Sequence, residues 1–202
     1  MTSNDPVVDI HTHLYPPGYL SLLRSRTEVP YLLDLPDESA PPRLIILPSD
    51  DDPSIPPESR GRPIDASYSS HKKKLQFMET HNINTSIISL ANPWLDFLSP
   101  KEGPIWAHRI NNELEQICSQ NHGSLYAFAT LPLSAKTPDV VAEIDRIRPH
   151  QHIKGVIMGT TGLGLGLDDP HLDPIYASLE QHQHLIFLHP HYGLPPSVYG
   201  LS

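Results

Sequence analysis

The sequence predicts an α/β fold, a parallel (β/α)8 TIM barrel truncated after its fifth strand. Three observations carry that prediction. After residue 66, short apolar runs rich in strand formers recur along the chain, and stretches with helical apolar spacing separate them. The strand-like runs end in turn-forming or polar residues, two of them in histidine. Strand alternating with helix means βαβ units and a parallel sheet. A closed barrel usually takes about 250 residues. This chain has 202 and gives residues 14–66 to an insert, so the alternation stops at five strands. One domain over residues 1–202, a partial barrel, is expected.

The first strand is "VVDIH", opening at Val7. The insert that follows concentrates proline and acid, as in "LPDESAPPRLIILPSDDDPSIPPESRGRP", and is too proline-rich to hold a long helix. Its segments "YLLDL" and "RLIILP" carry enough apolar surface to pack as a small hairpin, so an ordered excursion over one end of the sheet is expected rather than a disordered linker. "SSHKKKLQFMETHN" then reads as a helix behind serine caps, with Leu75, Met78 and Phe77 inward. "TSIISLAN" is the second strand. "IWAHRINNELEQICSQNHG" repeats Ile110, Leu114 and Ile117 at helical spacing and stops at Gly123. "LYAFATLP" is the third strand. "TPDVVAEIDRIRP" begins with a threonine cap, an early proline and an acid, as helix starts do. "IKGVIMGT", the helical "DPHLDPIYASLEQHQ" and "LIFLHPH" complete the series. These apolar runs read as strands buried on both faces, the parallel-sheet signature.

Composition narrows the function. Hydrophobic residues make up 38% and charged residues 18%, which suits a folded protein. A net charge of -9 leaves no basic surplus to displace counterions, so a nucleic-acid binder is not expected. "HKKK" at His71 to Lys74 reads as a solvated helix face. Cys118 is the sole cysteine, which excludes an intrachain disulfide and a cysteine-built zinc site. No secretory pattern or run of bilayer length is seen, so no membrane partner and a cytoplasmic location are expected.

Functional residues of parallel α/β sheets collect at the carboxyl ends of the strands. His11 and His13 lie one residue apart at the end of the first strand, so both imidazoles project to one side with Thr12 opposite. His189 follows four apolar residues at the end of the fifth strand, and Pro190 forces the chain out of it. Three imidazoles from two separate strand ends make a tripod that leaves metal positions open for substrate or water. His191 is a further candidate, although Pro190 breaks the alternation that would align it. "HQH" at His182 to His184 precedes its strand, on the face where ligation is not expected. His81, His108, His122, His150 and His152 read as surface or cap residues. "GTTGLGLGLDDP" lacks the Gly-Lys-Ser/Thr ending of a phosphate loop and reads as a flexible loop over the barrel mouth.

The segments "VDIHTHLYPP", "SLANPWLDF" and "LHPHYGLP" resemble the metal-dependent amidohydrolase superfamily. More narrowly, they resemble its branch of 2-amino-3-carboxymuconate-6-semialdehyde, hydroxybenzoate and fungal isoorotate (uracil-5-carboxylate) decarboxylases, the last being most similar. The likeness covers nearly the whole chain but only the N-terminal part of the family's barrel. It implies one Zn2+ or another divalent ion on His11, His13 and His189, and substrate contacts from Asn92 and Arg62, with Arg60 a near competitor for the arginine. The implied reaction is non-oxidative decarboxylation of a small cyclic or aromatic carboxylate, of the 5-carboxyuracil or hydroxybenzoate type. The family's proton-handling histidine and aspartate come from strands six and eight, so no catalytic residue is identifiable in this chain. Lys154 starts its strand rather than ending it, which implies one metal and no carbamylated bridge. Two alternatives stand beside this reading: hydrolysis of a lactone or amide at the same metal, and a non-catalytic truncated remnant. Relatives are often dimers, so a homodimer is possible.

Overall fold

The computed structural model describes residues 5–190. Strand β1 (Val8–His13) is followed by the insert, which is ordered. Helix α1 (Pro17–Arg24) starts on a proline whose missing N–H costs nothing in a first turn, and it buries Gly18, Tyr19, Leu22 and Leu23. The expected hairpin forms from β2 (Tyr31–Leu33) and β3 (Arg43–Ile45), antiparallel, and a third short strand, β4 (Arg62–Pro63), joins it. Gly61, immediately before β4, has φ +47°, and a β-carbon there would run into the Leu44 carbonyl. Only glycine suits that position.

The rest alternates as expected. Helix α2 (His71–Thr80) is capped by Ser70, whose hydroxyl accepts from the Lys73 amide. Strand β5 (Thr85–Ser89), helix α3 (Glu102–Ser119), strand β6 (Leu125–Thr130), helix α4 (Thr137–Ile147), strand β7 (Ile153–Gly159), helix α5 (Asp173–Gln181) and strand β8 (Leu185–His189) complete the chain. The large sheet runs β1-β5-β6-β7-β8 with every pairing parallel. It is the partial (β/α)8 barrel that the alternation predicts. Apolar residues of the insert (Leu32, Leu44, Ile64) share one buried cluster with those of the sheet and helices.

Several expectations need correction. Phe77 is half exposed, because its position on α2 falls off the stripe that buries Met78. No threonine caps α4: Thr137 is already helical, and Lys136 occupies the cap without a side-chain hydrogen bond. Burial on both faces holds for β6 and β7 but fails at the sheet edges. There Ile10 of β1 and Leu185 and Leu188 of β8 are about half exposed, since among the described residues no further strand extends the sheet at either edge. His152 is buried rather than superficial. Its Nδ1 lies 2.9 Å from a Glu115 carboxylate oxygen and its Nε2 3.0 Å from His122. Among the described residues no helix is long and apolar enough to cross a membrane.

Candidate metal centre

β1 and β8 form opposite edges of the sheet, yet the sheet curls enough to bring their ends together. The rings of His11, His13 and His189 are 5.0–5.2 Å apart, centre to centre, in edge-to-face arrangements. One ring nitrogen from each lies within 4.8 Å of the others. Alternation along β1 puts His11 and His13 on the inner side. Thr12 points the other way, where its hydroxyl receives the Lys74 ammonium. Phe187, two residues before His189 on the same face of β8, packs against His11 at 5.2 Å.

The surroundings keep the His13 imidazole neutral. The His13 pKa is lowered to about 4, first by burial and then by the neighbouring His189 and His11. Neutral imidazole is the form that ligates a cation. Its Nδ1 lies 3.1 Å from the Ser89 hydroxyl, and His189 Nδ1 lies 2.9 Å from the Pro190 carbonyl. An open cavity of about 460 Å³ lies along β1, touched by His11 and His13 but not by His189, and its other walls include Thr12, Tyr68, Lys74 and Phe77.

The two residues expected to touch substrate join the same network. The Asn92 amide nitrogen donates to the Pro190 carbonyl at 3.0 Å, tying the segment after β5 to the end of β8. Its side-chain oxygen is buried and takes no hydrogen bond among the described residues. The Tyr15 hydroxyl donates to the Asn92 carbonyl at 3.0 Å, and Arg62 Nη2 donates to the Tyr15 oxygen at 3.0 Å. Arg62 thus approaches the triad from β4, through Tyr15 and Asn92. Its competitor Arg60 is engaged within the insert, donating from Nε to the Ile55 carbonyl.

Tyr15, Ser89 and Trp94 belong to this site and were not singled out from the sequence. Trp94 has φ +49°, packs edge-on to His189 at 5.6 Å, and donates its indole N–H to the Leu90 carbonyl. Both aromatic residues lie inside the family-like segments, "HLYPP" and "ANPWLDF", and that is the signal that could have found them. Among the described residues no other histidine joins the triad. His182 pairs with Asp145 at 2.7 Å, ahead of β8, as the "HQH" reading expects. Lys154 lies over the Tyr126 ring at the start of β7, away from the strand's carboxyl end. "GTTGLGLGLDDP" folds back on itself through a bridge between Gly162 and Gly166. His191 lies outside the described residues.

No family model matches the chain. Among solved structures it is similar to IDCase of Metarhizium anisopliae in apo form. Identity is 46% and the TM-score 0.88, over 98% of this chain and 54% of that one. It shares its fold with a 5-carboxyvanillate decarboxylase of Novosphingobium aromaticivorans solved with bound manganese (15% identity, TM-score 0.69, 98% of this chain and 56% of that one). Among curated proteins it is similar to 2-amino-3-carboxymuconate-6-semialdehyde decarboxylase of Dictyostelium discoideum, at 23% identity over 64% of this chain and 36% of the relative. It is also similar to decarboxylase yanB of Aspergillus niger, at 25% over 91% and 43%. The chain spans about half the length, or less, of each relative.

Proposed function

We propose that this relative of the amidohydrolase-type decarboxylases forms the metal-holding part of a non-oxidative carboxy-lyase. Its substrate is a small cyclic or aromatic carboxylate of the 5-carboxyuracil or hydroxybenzoate type. The observation that carries the proposal is the meeting of three imidazoles from opposite sheet edges, beside a buried amide. The donor set fits a divalent cation: the three donors are nitrogen, one of them held neutral by burial, and the arrangement is open on one side. Zinc is our choice of ion, because all-imidazole sets suit it well, with manganese and other divalent ions as competitors.

Once bound, such an ion supplies Lewis-acid orientation and charge stabilisation to a substrate carboxylate and an adjacent ring oxygen. The chain's own residues supply recognition. The planar guanidinium of Arg62, braced by the Tyr15 hydroxyl, is suited to pairing with a carboxylate. Asn92, pinned through its nitrogen to Pro190, offers its buried oxygen to a ring N–H or hydroxyl of the substrate. Trp94 and Phe187 give His189 and His11 edge-on aromatic neighbours that help fix the ring orientations. No proton-transferring residue is assigned within this chain.

The test combines binding and turnover. Calorimetry with Zn2+ and Mn2+ is expected to show one ion per chain, with affinity reduced at least about 100-fold by His13→Ala or His189→Ala. Incubation with uracil-5-carboxylate and with 2,6-dihydroxybenzoate is expected to release CO2 from one of them, in a chelator-sensitive way. An intact chain that takes up no divalent ion overturns the proposal. Ion uptake without CO2 release assigns the chain a metal-binding role only, and solvent ¹⁸O in a product assigns hydrolysis instead.

A further inference from the structure

We infer that Ser89 is a positioning residue of the metal centre: its buried hydroxyl holds His13 in the Nδ1–H tautomer and so reserves Nε2 for the ion. This rests on the metal reading above but concerns a residue to which that reading gives no role. Ser89 is the last residue of β5, 1% exposed, and it stands directly across the parallel ladder from His13. Its hydroxyl has one proton to give and lies near two groups, the Thr12 carbonyl at 3.4 Å and His13 Nδ1 at 3.1 Å. A carbonyl can only accept. With the hydroxyl proton directed to Thr12, the remaining contact is satisfied only if His13 Nδ1 carries a proton and donates it to the serine oxygen. The lone pair of the neutral ring is then on Nε2.

The opposite edge of the sheet reaches the same end by another device. His189 Nδ1 faces the Pro190 carbonyl at 2.9 Å, again a group that can only accept, so Nδ1 is the donor there too. Asn92 donates to that same carbonyl at 3.0 Å and holds it in place. Two of the three imidazoles are therefore set to one tautomer before any ion arrives, one by main chain and one by a side chain. A ligand imidazole whose far nitrogen is so engaged is oriented and made more basic, and losing that engagement typically costs 10–100-fold in affinity. The main-chain device cannot be deleted by substitution. The Ser89 hydroxyl can.

Ser89→Thr and Ser89→Val place nearly the same shape at the site with and without a hydroxyl, and Ser89→Ala removes the hydroxyl with least crowding. Two readouts separate positioning from simple packing: the ¹⁵N resonances of the His13 ring in the metal-free protein, and Zn2+ affinity by competition with a chromophoric chelator. The wild type is expected to show the Nδ1–H tautomer. Ser89→Thr is expected to retain it, with affinity within about 3-fold of wild type. Ser89→Val and Ser89→Ala are expected to lose it and to bind Zn2+ about 10–100-fold more weakly. An Nε2–H tautomer in the wild type, or hydroxyl-free variants that bind as tightly as wild type, overturns the inference. If the β-branched pair does not fold, Ser89→Ala and the wild-type tautomer decide it. A wild type that shows Nδ1–H and binds no Zn2+ overturns the metal reading while leaving the serine contact standing.

Discussion

Asn111 stands on the inner face of α3 among Ala107, Ile110 and Leu114, wholly buried, where an apolar residue would be expected. Its amide closes the open end of β6. The nitrogen donates to the Thr130 carbonyl at 2.9 Å and to Glu143 Oε1 at 2.7 Å, and the oxygen accepts from the Thr130 N–H at 2.9 Å. Glu143, itself buried, is paired to Arg146 through both carboxylate oxygens. One side chain thus joins α3, β6 and α4. Asn111→Ala strands a peptide group and part of a carboxylate away from water, so it is expected to lower unfolding stability by about 2–4 kcal/mol in urea titration. A loss below about 0.5 kcal/mol would show that the network is dispensable.

At the scale of elements, the close approach of β7 and β8 depends on Gly155. A β-carbon there would run into the Leu185 main chain, in the ladder that carries His189 to the triad. Gly155→Ala is expected to cost about 1–3 kcal/mol in thermal or urea unfolding. It is also expected to weaken divalent-ion binding, because β8 must shift away from β1. Unchanged melting together with unchanged ion affinity would refute that dependence. The elements themselves were largely legible in the sequence: among the described residues after 66, each strand and helix overlaps its expected segment, although α3 begins at Glu102, three residues ahead of it. Alternation of apolar runs with helical stretches is a local signal, and here local preference and tertiary demand agree. The threonine cap and the inward Phe77 failed because one-residue shifts in a helix start or face lie below the resolution of such patterns.

At the scale of the whole molecule, both sheet edges carry exposed apolar side chains, Val8 and Ile10 on β1 and Leu185 and Leu188 on β8. Unpaired edge strands with an apolar face promote association between chains. Ile10→Lys combined with Leu188→Lys is expected to leave the circular dichroism spectrum unchanged and to reduce light scattering as concentration rises. Scattering that is unaffected by the double substitution would show that the edges are not the contacts. The exposed edges were not legible beforehand. An apolar run reads as buried whether or not a neighbour covers it, because the covering group lies far away in sequence or on another molecule.

The sequence by itself determined the alternating β/α order, the strand ends at which His11, His13 and His189 stand, and the likeness to metal-dependent decarboxylases, since periodicity and motif are properties of short segments. It could not say that two opposite edges of one sheet curl until their imidazoles lie about 5 Å apart. Nor could it show Arg62 reaching that point through Tyr15 and Asn92, or Ser89 seated against His13. Those relations join residues 47 to 178 positions apart, and only the packed sheet sets their distance. A serine or tyrosine acquires such a role from what it touches.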